Sequence, residues 1–119
     1  MKQENKLINL SYLKSISNGD NTFILELIKM FLKQVPEYQK MLQQLYNKKD
    51  WYNLARTAHK AKSAILMVGM DKLAAELKKL EENAKEGKNI HEYQEIIANF
   101  VSQSDIAINE LKLIQNKII

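Results

Sequence analysis

Residues Asp50–Met70 read DWYNLARTAHKAKSAILMVGM. Within this stretch Trp51, Leu54, Ala55, Ala58, Ala61, Ile65 and Val68 recur at intervals of three and four. That is the spacing of one face of an α-helix. Asp50 is predicted to cap the helix, and Gly69 to end it, because a residue without Cβ enters the left-handed conformation easily. Alanines in the middle of the stripe let a neighbouring helix approach closely. Successive residues turn by about 100°, so the stripe centres between Leu54 and Ala58. His59 then falls about 120° from that centre, on a flank shared with Tyr52, Arg56, Ser63 and Leu66. A histidine on the flank is open to another molecule, whereas a core histidine is not. Lys62 and Ser63 stand about one turn beyond it. A nucleophilic imidazole thus has a cation close by and a small neighbour that leaves room for a tetrahedral group.

The same periodicity continues on both sides. Upstream, Phe23, Ile24, Leu27, Ile28, Phe31, Leu32 and Val35 form a stripe that resumes after Pro36 with Tyr38, Met41, Leu42, Leu45 and Tyr46. The phase is nearly kept, which predicts one long helix bent at Pro36 or two nearly collinear helices, capped by Asp20 or Asn21. Downstream, a helix is predicted to start at Asp71, carry Leu73, Ala74, Leu77, Leu80, Glu81 and Ala84, and close at Gly87. Asn89 is expected to cap a last helix with Ile90, Tyr93, Ile96, Ile97, Phe100, Val101, Ile108, Leu111 and Ile114. Near the N-terminus, Asn9 or Ser11 is expected to cap a short helix bearing Tyr12, Leu13 and Ile16, ended by Ser17–Gly19. Residues 1–8 are polar and expected to be flexible. The fold class predicted is all-α: an antiparallel up-down-up-down four-helix bundle with a short extra N-terminal helix. The chain reads as a single domain over 1–119.

Composition narrows the function. The chain of 119 residues has three glycines, one proline and no cysteine. Long helices suit it, and disulfides and thiolate metal sites are excluded. No apolar run approaches the roughly 20 residues of a membrane span, and the N-terminal residues lack an apolar signal core. A cytoplasmic location and no membrane partner are expected. The net charge of +4 suits nucleic acid or an acidic protein equally. Lysines and glutamates are interspersed rather than gathered, which weighs against nucleic acid. His91 reads as a surface residue. No ligand set surrounds it or His59, so no metal site is expected.

The stretch around His59 resembles the active-site helix of histidine-containing phosphotransfer (HPt) domains, whose pattern is His-x-x-Lys-Gly followed by a glycine at the tenth position. His59, Lys62 and Gly69 match; Ser63 departs from the usual glycine but is still small. The unit GDNTFILELIKMFLKQVPEYQKMLQQL (residues 19–45) resembles the second helix of these domains, including its proline. The resemblance implies a phosphorelay intermediate. His59 would accept a phosphoryl group on Nε2 from a receiver-domain aspartate and pass it to another. It also implies that Lys62 interacts with the phosphoryl oxygens. Arg56 and Lys60 would add positive potential, weakened by salt. Partners would be response-regulator receiver domains and a hybrid sensor histidine kinase. Such a chain is not an enzyme by itself. It needs no cofactor of its own, since the receiver carries the Mg²⁺ and the acidic pocket. A receiver-docking helical module that no longer transfers phosphate is the alternative.

Two further sites follow. His59 lies eleven residues before Met70 and Glu81 eleven after it, so the two stand at similar height on adjacent helices. The resemblance makes Glu81 the acceptor of a hydrogen bond from Nδ1 of His59; spacing alone also allows a solvated glutamate. Leu66 is apolar yet about 100° off the core stripe. Together with Leu13 and Ile16 it is expected to form a docking rim for the receiver. Leu13 and Ile16 are read equally well as sealing the end of the bundle.

Overall fold

The computed structural model describes Ile8 and residues 10–118. Five α-helices follow one another: α1 (Leu10–Ser17), α2 (Asn21–Lys48), α3 (Trp51–Met67), α4 (Asp71–Glu86) and α5 (Tyr93–Ile118). A 3₁₀ turn, Ile90–Glu92, leads into α5. Among the described residues there is no strand. The four long helices close on one another: α2 packs against α3 and α5, and α4 against α3 and α5. The short α1 lies on α2.

Local chemistry sets the helix ends. The carboxylate of Asp20 accepts from the backbone N–H of Thr22 and Phe23, and that of Asp50 from Asn53. Each satisfies donors that the first turn leaves without an intrahelical partner. Gly69 (φ 77°) makes the tight turn between α3 and α4, and Gly87 (φ 65°) ends α4. Pro36 sits inside α2 without ending it. Between the two readings of that segment the structure has one helix. Asn89 does not cap α5 with its side chain; it takes the left-handed conformation (φ 56°) ahead of the 3₁₀ turn. Asparagine tolerates that region better than most residues.

The core runs along the bundle through Ile28, Val35 and Leu42 of α2, Leu54, Ala58, Ala61 and Ile65 of α3, Leu77 and Leu80 of α4, and Ile97, Phe100, Ala107 and Leu111 of α5. The alanine stripe of α3 is buried as its spacing predicts. Phe23 and Met41, counted with the α2 stripe, lie at its edges and are exposed. Of the buried polar residues described, Ser104 is the most deeply enclosed: its hydroxyl donates to the carbonyl of Phe100 and accepts, across the interface, from the Gln39 amide at 2.7 Å. A buried polar group needs such partners.

The N-terminal region corrects three expectations. Ile8, expected within a flexible segment, is buried, and its N–H donates to Glu110 Oε1 at 3.1 Å. Residues 1–7 and Asn9 lie outside the described residues, so flexibility of the former and capping by the latter are not addressed. Ser11 stands inside α1 and does not cap it. Leu13 is fully buried, so it seals the bundle and has no place on a docking rim. Ile16 and Leu66 remain 40% and 41% exposed.

Candidate functional site

The site is built on the α3–α4 pair. The α3 stripe faces the core, and this leaves His59 on the outer flank with 57% of its side chain exposed. The turn at Gly69–Met70 folds α4 back along it, and residues equidistant from Met70 meet. His59 Nδ1 lies 3.2 and 3.1 Å from the two carboxylate oxygens of Glu81. Glu81 is a buried carboxylate with only 10% of its side chain exposed. A buried charge requires partners, and Glu81 has three. Besides the imidazole, Lys62 Nζ stands 3.4 Å from Oε1 and Lys85 Nζ 3.3 Å from Oε2.

These contacts decide the protonation of the carboxylate. Burial alone would push the Glu81 carboxyl up; hydrogen bonds from His59 and Lys85 and the charge of Lys62 outweigh it and hold it below the ordinary value. Glu81 is therefore an anion at neutral pH. An ionised carboxylate only accepts hydrogen bonds, so in this contact the imidazole carries its proton on Nδ1. The lone pair is then on Nε2, the outer nitrogen.

Because its folded pKa is depressed, Glu81 stabilises the fold above the ordinary glutamate value of 4.5, and that contribution is lost as pH falls through the folded pKa. The melting temperature of the wild type is expected to exceed that of Glu81→Gln most clearly above about pH 4.5, with the gap narrowing on acidification. A gap that is constant from pH 7 to pH 3 would show that ionised Glu81 contributes nothing through these pairs.

The rest of the flank is arranged around this centre. The Ser63 hydroxyl donates back to the carbonyl of His59 at 3.3 Å, which keeps the position beside the ring small. Arg56 lies over the ring of Tyr52, 5.8 Å from its centroid, a cation–π contact. Tyr52, Ala55, Arg56, Lys60 and Lys85 form an open groove with His59 along one wall. Leu66 is exposed two turns along α3 from His59, and Gly69 ends that helix. His91 stands apart on the 3₁₀ turn, 78% exposed, with Glu92 at 3.7 Å. Among the described residues no group of three or more His, Cys, Asp or Glu side chains is placed to hold a metal ion. None of the helices described is long and apolar enough to cross a membrane.

Lys85 was not singled out by sequence reasoning. Its position four residues after Glu81, on the same helix face, is the signal that would have found it.

The described part of the chain is thus an all-helical bundle with a half-exposed imidazole bonded to a buried carboxylate. Comparison with known families identifies it. The family model of the Hpt domain matches residues 26–114, well over half of the chain. The chain belongs to the Hpt domain family. No curated protein and no solved structure matches it. Members of the family are histidine phosphotransfer modules of phosphorelays, not enzymes of the ordinary kind, and they interact with receiver domains.

Proposed function

We propose that the chain is a phosphorelay intermediate in two-component signalling, carrying the phosphoryl group on His59 between the aspartates of two receiver domains. One observation carries the reading: His59 has Nδ1 held by buried Glu81 while more than half of its side chain is open. In the transfer, the Nε2 lone pair attacks phosphorus as the bond from phosphorus to the aspartyl oxygen breaks. The electron pair of that bond returns to the aspartate. The ring, still protonated on Nδ1, becomes cationic, and Glu81 faces that charge. Lys62, one turn beyond His59, turns to the phosphoryl oxygens. In-line phosphoryl transfer depends mainly on positioning and charge neutralisation, so the chain needs no cofactor; the Mg²⁺ and its acidic pocket belong to the receiver. Passage to a second receiver reverses the step.

The reading includes an antiparallel up-down-up-down order of α2 to α5 within one domain over 1–119. Short connections and the closed pattern of helix neighbours support it. It places the chain in the cytoplasm beside a hybrid sensor histidine kinase. The receiver would dock on Ile16, Leu66, Ser63 and Gly69 on one side of His59, with Arg56 and Lys60 supplying positive potential. Incubation with phosphorylated receivers from the same genome should place an acid-labile, base-stable label on this chain. No label from any of them, with the receivers shown to be competent on another acceptor, would leave a docking module without transfer.

The docking rim is tested by a paired measurement. Leu13→Ala removes a fully buried side chain and should cost roughly 2–5 kcal/mol of stability. Ile16→Ala and Leu66→Ala should leave melting nearly unchanged and weaken receiver binding, by about 1 kcal/mol or more if they sit centrally. If neither lowers receiver affinity, the rim lies elsewhere.

A further inference from the structure

Two lysines share one carboxylate at this site, and one of them is in surplus. Glu81 brings a single negative charge, while Lys62 and Lys85 each bring a positive one, at 3.4 and 3.3 Å from different oxygens. The two differ in setting. Lys62 comes from the histidine's own helix, one turn beyond His59, and only 18% of its side chain is exposed. Lys85 comes from α4, four residues after Glu81, and is 63% exposed. While Lys62 remains on Glu81, it is not available to phosphoryl oxygens on Nε2. If Lys62 leaves with no replacement, a nearly buried carboxylate loses a cation, which is costly.

We propose that Lys85 is a positioning residue that makes Lys62 transferable: it stays on Glu81 as resident counterion while Lys62 moves from Glu81 to the phosphoryl group. This rests on the proposed phosphorylation of His59 and extends it to a residue that touches neither the ring nor the phosphoryl oxygens. Three features of the site support the division of labour. Lys85 and Glu81 share a helix, so their pairing survives small shifts between α3 and α4. Lys62 and His59 share the other helix, so Lys62 follows the ring. The two lysines hold different oxygens of the carboxylate, so one can leave without displacing the other.

The test is a double-mutant cycle on the full chain, with a phosphorylated receiver as donor and single-turnover labelling of His59 as readout. Lys85→Ala should slow labelling about three- to tenfold, as a partial loss of the Lys62 contribution. Melting should hardly change, because Lys85 is largely exposed and such pairs contribute little to stability. Lys85→Arg should restore most of the rate. In a Lys62→Ala background, Lys85→Ala should have almost no further effect, since there is no Lys62 left to release. An equal effect in both backgrounds would overturn the proposal and place Lys85 directly on the phosphoryl group. A wild-type rate in Lys85→Ala would overturn it too, leaving a surface lysine. Failure of the wild type itself to become labelled is a different result, and counts against phosphorylation of His59 rather than against the role of Lys85.

Discussion

His59→Gln is expected to abolish labelling by phosphorylated receivers and to leave the fold intact. Glutamine has no nitrogen lone pair able to attack phosphorus, since its amide nitrogen is conjugated with the carbonyl. It does retain an N–H that can face Glu81, so the buried carboxylate keeps a neutral donor besides Lys62 and Lys85. The His59 side chain is more than half exposed, and with a donor kept toward Glu81 the change in stability should stay within about 1 kcal/mol. Helical circular dichroism should therefore overlay that of the wild type and the melting temperature should shift little, while the label disappears. His91 offers no substitute: it lies on the 3₁₀ turn beside Glu92 and is not among the partners of Glu81, which are His59, Lys62 and Lys85. Label persisting in the His59→Gln protein, or mapping to His91, would sink the assignment.

Lys62→Ala is expected to slow phosphoryl acceptance by about ten- to a hundredfold, equivalent to about 1.4–2.7 kcal/mol in the transition state. A cation aimed at oxygens that gain charge during transfer stabilises the transition state more than the resting state. Lys62 is well placed for this, being one turn beyond His59 and confined by its surroundings. The loss should appear in the rate measured with saturating receiver rather than in binding. Melting should fall only slightly, because His59 and Lys85 stay on Glu81. If the saturating rate is unchanged, Lys62 serves only as a counterion of Glu81.

Much of this arrangement is readable from residue spacing, for physical reasons. The α3 stripe fixes which residues enter the core, and the same rotation that buries Ala58 turns His59 outward. Asp20, Asp50, Gly69 and Gly87 mark helix ends because each supplies an acceptor or a left-handed backbone that the ends require. Equal distances to the turn place His59 and Glu81 at the same height, but spacing alone equally allows a solvated glutamate, and the resemblance to HPt domains is what points to the bond. Other features are not legible. In α1, Leu13 and Ile16 lie about 60° apart around the helix axis, and eight residues contain too few turns to say which of them faces inward. Phe23 and Met41 have the right type and nearly the right phase, but only the neighbours decide that they fall at the edge. Ile8 precedes any periodic segment, so its burial has no signal. Lys85 looks like any exposed lysine until Glu81 is known to be buried and in need of charge.

All four interacting groups of the site come from the two helices on either side of the Gly69 turn, His59 and Lys62 from one, Glu81 and Lys85 from the other. The proposed rim draws Ile16 from α1, a separate stretch of chain that packs on α2. On the proposed reading, one part of the docking surface, Ile16, is thus encoded apart from the reacting groups, while Ser63 and Leu66 share α3 with His59 and Lys62. If receivers dock on the proposed rim, substitutions at Ile16 would change the choice of partner without disturbing the contacts of His59 with Glu81. On that reading a duplicated copy would reach a new circuit most simply through exposed Ile16, because changes at the α3 docking positions lie beside the reacting groups.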